Sequence, residues 1–125
     1  MKKTIDVYQF LIDSNKKTYP VLSAVAEASK DEDVKDFVWR LYEALDSPQY
    51  RGLADEEQSS GEYMDADYNV FVRYNENFTF ATNSFDTVFA FDNSYYMVDH
   101  FDVKRIADLD EAVKLFNEHW RGIED

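Results

Sequence analysis

Asp65, Asp67 and Asn69 alternate along the chain like the oxygen donors at positions one, three and five of a calcium loop. Glu76 falls at position twelve, where such a loop places a bidentate carboxylate. Position six of that loop needs glycine for a sharp turn, and Val70 stands there instead. The run Val70-Phe71-Val72-Arg73 is strand-like, and an extended strand cannot wrap an ion. The spacing therefore argues against a calcium site. His100 lies between Asp99 and Asp102, and His119 follows Glu118. In a strand His100 and Asp102 share a face, which supplies two ligands where a metal needs several converging groups. These histidines read as surface residues beside carboxylates, and no metal or cofactor is expected.

Catalytic chemistry is poorly supplied. The chain has no cysteine, so a nucleophile would be Ser or Thr, and no G-x-S-x-G elbow is present. Gly52, Gly61 and Gly122 are the three glycines, and none builds a phosphate cradle. Carboxylate pairs are so numerous that no one pair stands out as a general acid and base. The expectation is a protein that is not an enzyme, with no catalytic residue to name.

The charge is the distinctive feature. There are 26 acids against 13 bases, a net charge of −13. Such a surface repels nucleic acid and anionic membranes and attracts basic surfaces over a distance. Acidity also aids solubility by itself. Between residues 46 and 67 seven acids face Arg51 alone, a local charge of −6. Lys2, Lys3, Lys16 and Lys17 form the one local basic excess. The candidate partner-binding residues are Asp55, Glu56, Glu57, Glu62, Asp65, Asp67 and Glu76, with Tyr63 and Tyr68 as aromatic anchors. Asp86, Asp92, Asp108, Asp110 and Glu111 extend the same negative character.

A dense negative face fits a groove that normally holds nucleic acid, with carboxylates along the phosphate track. The expectation is a small inhibitor, encoded by a phage or mobile element, that binds the basic groove of a host defence nuclease or Cas effector. The composition resembles that of phage anti-restriction and anti-CRISPR proteins, and that of immunity proteins against nuclease toxins. The resemblance is one of composition, and no motif carries it. An immunity protein is thus the alternative, followed by an acidic protein-interaction module. A second copy of the chain, docked through the aromatic sheet face, is a further candidate partner.

The elements that must position these residues follow from periodicity. A chain of 125 residues suits one domain, here 1–125. Hydrophobic residues at 45% and aromatics at 17% provide a core and exclude a disordered acidic tail. Ile5, Tyr8, Leu11 and Ile12 make a helical stripe after a Thr4 cap, although Ile5 and Val7 also alternate as in a strand. Tyr19-Pro20 starts a second helix with Leu22, Val25 and Ala26 on its apolar side. Ser29 and Glu32 form a capping box for a third, whose face is Val34, Phe37, Val38, Leu41, Tyr42 and Leu45, ended by Ser47-Pro48.

Residues 46–67 read as an acidic connection between a helical part, about 4–46, and an antiparallel sheet, about 68–106. Four strands are expected there: 68–74, one holding Phe78 and Phe80, 87–91 and 95–101. Asn75-Glu76-Asn77, Asn83-Ser84 and Asp92-Asn93-Ser94 mark the turns. Asp108 and Glu111 open a C-terminal helix over about 108–121, with Leu109, Ala112, Val113, Phe116 and Trp120 as its stripe. The predicted fold is α+β: N-terminal helices, a four-stranded antiparallel β-meander and a C-terminal helix. With no signal-peptide pattern, no run of apolar residues long enough for a membrane span and no cysteine, a soluble cytoplasmic protein is expected.

Overall fold

A computed structural model describes residues 4–28, 33–45, 61–65, 70–76, 78, 84–99 and 102–122. Seven strands form one antiparallel sheet. They are β1 (Thr4–Ile12), β2 (Thr18–Ala28), β3 (Glu62–Asp65), β4 (Val70–Tyr74), β5 (Thr87–Phe91), β6 (Ser94–Asp99) and β7 (Asp102–Ile106). Helix α1 (Val34–Leu45) follows β2, and α2 (Leu109–Phe116) follows β7 and runs into a π-helical turn, Asn117–Arg121. The strand order is β3-β4-β2-β1-β5-β6-β7.

This corrects the predicted architecture. The first two predicted helices are β1 and β2, paired antiparallel from Thr4 opposite Glu27 to Ile12 opposite Thr18. β1 is rich in Ile, Val, Tyr and Phe, and β2 holds Thr18, Tyr19, Val21 and Val25, residue types that favour a pleated, half-buried surface. A bulge obscures the period. Val7 faces Ala24 and Tyr8 faces Leu22, so Ser23 is the extra residue and side-chain parity flips there. Across that flip Leu22, Val25 and Ala26 acquire a spacing that imitates a helix turn. Pro20 is tolerated because β4 pairs with Ala24 to Ala28, so that among the described residues no outer strand pairs with the Pro20 end of β2.

Of the expected four-strand meander only the β5–β6 hairpin survives, and β7, which the periodicity did not mark as a separate strand, extends it. Asp92 and Asn93 adopt positive φ of 48° and 63°, the geometry of a two-residue hairpin turn between β5 and β6. β4 pairs instead with β2 and β3. Phe78 is not in a strand, and Phe80 lies outside the described residues. The expected third helix is α1, where the Asp33 carboxylate accepts the backbone N–H of Lys35 at 2.9 Å. Ser29 and Glu32 lie outside the described residues. The C-terminal helix matches its capping signal: Asp108 Oδ1 accepts from Glu111 N at 2.8 Å, and Glu111 Oε2 from Ala107 N at 3.0 Å.

A helix packs on each face of the sheet. On one, α1 sets Phe37, Val38, Leu41, Ala44 and Leu45 against Ile5, Val7, Ala24, Ala26, Val70, Val72, Phe89 and Val98. Ala24 and Ala26 are small, which leaves room for the bulky helix side chains. On the other, α2 covers Val88, Met97 and Ile106 with Ala112, and Tyr8, Phe10 and Leu115 pack around them. Phe10 stacks on Phe116 with ring centroids 4.5 Å apart. The aromatic surplus of the sheet is therefore divided between two helices, and Phe89 is fully buried.

Candidate partner-binding surface

β3 is an edge strand, and it carries the only three candidate residues that lie in a described strand. Glu62 stands opposite Arg73, Tyr63 opposite Val72, and Asp65 opposite Val70. Directly opposed residues in an antiparallel pair share a face. Glu62 is thus on the face of Arg73, whereas Tyr63 and Asp65 occupy positions on the face of Val72 and Val70, the α1 side. Glu76 is exposed just beyond β4. Tyr74 N donates to Gly61 O at 2.8 Å, which ties the start of β3 to the end of β4. Glu62 and Glu76 therefore lie toward one end of this ribbon and Asp65 at the other, about 10 Å along the strand from Glu62. Asp55, Glu56, Glu57, Asp67 and Tyr68 lie outside the described residues.

The face that holds Glu62 has a composition of its own. Glu27 is opposite Phe71, and Val25 opposite Arg73. Val25, Glu27 and Phe71 are half-buried, while Arg73 and Glu62 are exposed. The Arg73 guanidinium lies 5.3 Å from the Phe71 ring centroid, and its Nε is 3.7 Å from Glu62 Oε1. With both side chains about 60% exposed, that ion pair is screened and contributes little to stability. This region is on the same side of the sheet as α2, which reaches β2, while the buried cluster beneath α2 is drawn from β5, β6 and β7. The bulge opens a shallow cavity of about 180 Å³ between Leu22, Val25, Arg73 and Asn75. Asn75 holds its rim by donating to Leu22 O at 2.7 Å and Ser23 O at 3.0 Å.

The remaining acids are distributed rather than gathered. Asp33, Asp36 and Glu43 are exposed on or beside α1, Asp92 in the β5–β6 turn, and Asp108, Asp110 and Glu118 around α2. From β4 to β7 is five strand steps, about 24 Å. The carboxylates thus surround the sheet on both sides. Among the described residues no three of His, Cys, Asp or Glu approach closely enough to hold a metal ion. His119 is exposed and lies against the rings of Phe85 and Trp120, at 5.4 and 5.0 Å, and His100 lies outside the described residues. Among the described helices none is long and apolar enough to cross a membrane.

Sequence reasoning missed the Arg73–Phe71 contact and the tip of the β1–β2 hairpin. The hairpin signal was present: Asp13-Ser14-Asn15 between two β-rich runs. Asp13 accepts the N–H groups of Asn15 and Lys17 at 2.9 and 2.8 Å. Hydrogen bonding from the Lys17 amide, opposed by desolvation and joined by the Tyr19 hydroxyl, lowers the Asp13 carboxyl pKa. The same hydrogen bond to Asp13 raises the Tyr19 phenol above its ordinary value. No known protein family, curated protein or solved structure matches this chain.

Proposed function

We propose that the protein is a small acidic inhibitor that occupies the basic nucleic-acid groove of a nuclease or Cas effector, in the anti-CRISPR or anti-restriction manner. The observation that carries the reading is the surplus of carboxylates, net −13, displayed on a frame with a helix packed on each face. Exposed acids on a preorganised frame accelerate encounter with a positive groove and lose little entropy on binding. The edge strand β3 with Glu62 and Asp65, the adjoining Glu76, and the acids and tyrosines of residues 55–68 are the proposed contacts.

The test is binding to a panel of basic nucleases, with wild type beside a variant carrying Asp55, Glu56, Glu57, Glu62, Asp65 and Asp67 as amides. The expected result is capture by wild type, release by competing DNA, and an affinity that falls at least ~100-fold between about 50 and about 500 mM salt. Equal capture by both proteins would exclude this acidic segment as the contact. Absence of any captured nuclease would overturn the reading.

A second reading, an immunity protein against a basic nuclease toxin, draws on the half-buried Phe71 and Val25 beside Glu62. Apolar anchors beside carboxylates give a complex that stays tight in salt while its association rate drops. Phe71→Ser would then weaken binding more than any single amide substitution.

A further inference from the structure

The β1–β2 hairpin extends past its neighbours. β5 pairs with Asp6 to Gln9 and β4 with Ala24 to Ala28, so among the described residues those at 10–21 form a two-stranded arm. One face of the arm is fastened to the body by the Phe10–Phe116 stack and by Thr18 bonded to Asn117 and Arg121. The opposite face carries Leu11 directly across from Tyr19, 46% and 41% exposed, with half-buried Val21 behind them. Five large apolar side chains are exposed among the described residues, and Leu11, Ile12, Tyr19 and Leu22 of this hairpin are four of them.

The tip is rigid. Asp13 closes the turn, the Lys17 ammonium sits 5.3 Å from the Tyr19 ring centroid, and Lys16 takes φ of 63°. Leu11 and Tyr19 thus present an exposed apolar pair on this ribbon. The arm is also electrostatically distinct. Lys16 and Lys17 against Asp13 make it locally +1 on a chain of −13.

We propose that the Leu11–Tyr19 face of the arm docks the same face of a second copy, forming a two-fold dimer. Two bodies of −13 repel each other, and the arm is the region where two copies meet with least charge penalty. An isologous contact requires a self-complementary patch. The arm offers an apolar centre and, in one turn, both Asp13 and the cations Lys16 and Lys17. The patch is small, so the dimer is weak, with a dissociation constant on the order of 100 µM. Salt screens the repulsion between bodies, so dimerisation strengthens as salt rises. Binding to a basic nuclease groove has the opposite salt dependence, so the dimer stands or falls independently of that reading.

The experiment is sedimentation velocity on the full chain over a concentration series at low and high salt. The expected result is a monomer–dimer equilibrium that shifts toward dimer with salt. Leu11→Asp and Tyr19→Ser should each raise the dissociation constant at least ~10-fold, while Phe71→Ser on the open sheet face leaves it unchanged. Because the chain has no cysteine, Leu11→Cys adds a check that leaves the rest of the arm intact: oxidation should yield a disulfide-linked dimer. A wild type that stays monomeric at the highest concentration and salt overturns the proposal. So does a dimer that persists in both arm variants and is lost in Phe71→Ser. Monomers that bind anionic vesicles through an arm sensitive to Leu11→Asp would also overturn it, in favour of a lipid surface.

Discussion

Thr18→Val tests the joint between the N-terminal hairpin and the C-terminal turn. Thr18 is buried, and its hydroxyl donates to Asn117 Oδ1 at 2.6 Å and accepts from Arg121 Nη1 at 2.8 Å. Valine keeps the shape, so no cavity term enters. One neutral hydrogen bond contributes about 1 kcal/mol, and one from a guanidinium about 1.5 kcal/mol or more. Asn117 Oδ1 still receives Arg121 Nη1 at 3.3 Å, so no buried group is left wholly unpaired. The expected loss is about 2 kcal/mol, which for a chain of this length lowers Tm by roughly 7 °C. Urea unfolding followed by far-UV circular dichroism and by tryptophan fluorescence measures it. Trp120 sits in the same turn and donates from Nε1 to Ser84 O at 2.8 Å, so in a Trp39→Phe background it reports the local event. In an Arg121→Leu background the substitution should cost about half as much, because the charged bond is already gone. A loss under about 0.5 kcal/mol in the wild-type background would refute the idea that this network holds the arm to the body.

Four further outcomes are expected. Phe89→Ala, at a fully buried core position, should cost about 3–5 kcal/mol in the same unfolding assay. Asn93→Gly should leave stability equal or higher while Asn93→Val lowers it by about 1–2 kcal/mol, because φ of 63° strains a β-branched residue. Gly61→Ala, with φ of 77° and a new Cβ 3.3 Å from Tyr74 O, should raise hydrogen exchange in β3 and β4 while β1 and β5 stay protected. Asp13 should titrate below the ordinary carboxylate range by NMR. Its depressed folded pKa means its support of the turn is complete above the unfolded value, 3.8, and is lost as pH falls through the lower folded value. An Asp13 signal that titrates at or above 3.8 would contradict the bonds to Lys17 and Asn15.

Elements closed by local chemistry were legible in the sequence. The apolar stripe from Val34 to Leu45 needs only a 3.6-residue period to be read, and α1 spans those residues. Asp108 and Glu111 cap α2 through bonds three and four residues long in sequence. Asp92-Asn93 makes the β5–β6 turn because its own side chains tolerate positive φ. The α1 acids Asp36 and Glu43 are solvent-facing, as helical position requires of charged residues off the apolar stripe.

What the sequence could not fix was set by partners distant along the chain. Leu22, Val25 and Ala26 have the spacing of a helix turn, yet Ala24-Val25-Ala26 lies between β1 and β4 because two neighbouring strands satisfy its backbone. The bulge at Ser23 appears only once β1 is opposite it. The charge of −13 and its excess over residues 46–67 are properties of composition, present whatever the fold. Whether two acids meet depends on the register. Glu62 and Asp65 are three residues apart, and pairing with β4 puts their positions on opposite faces of the sheet. The arm is likewise a tertiary result: Leu11 and Tyr19 are exposed because β4 and β5 stop short of them and the π-helical turn fastens the other side.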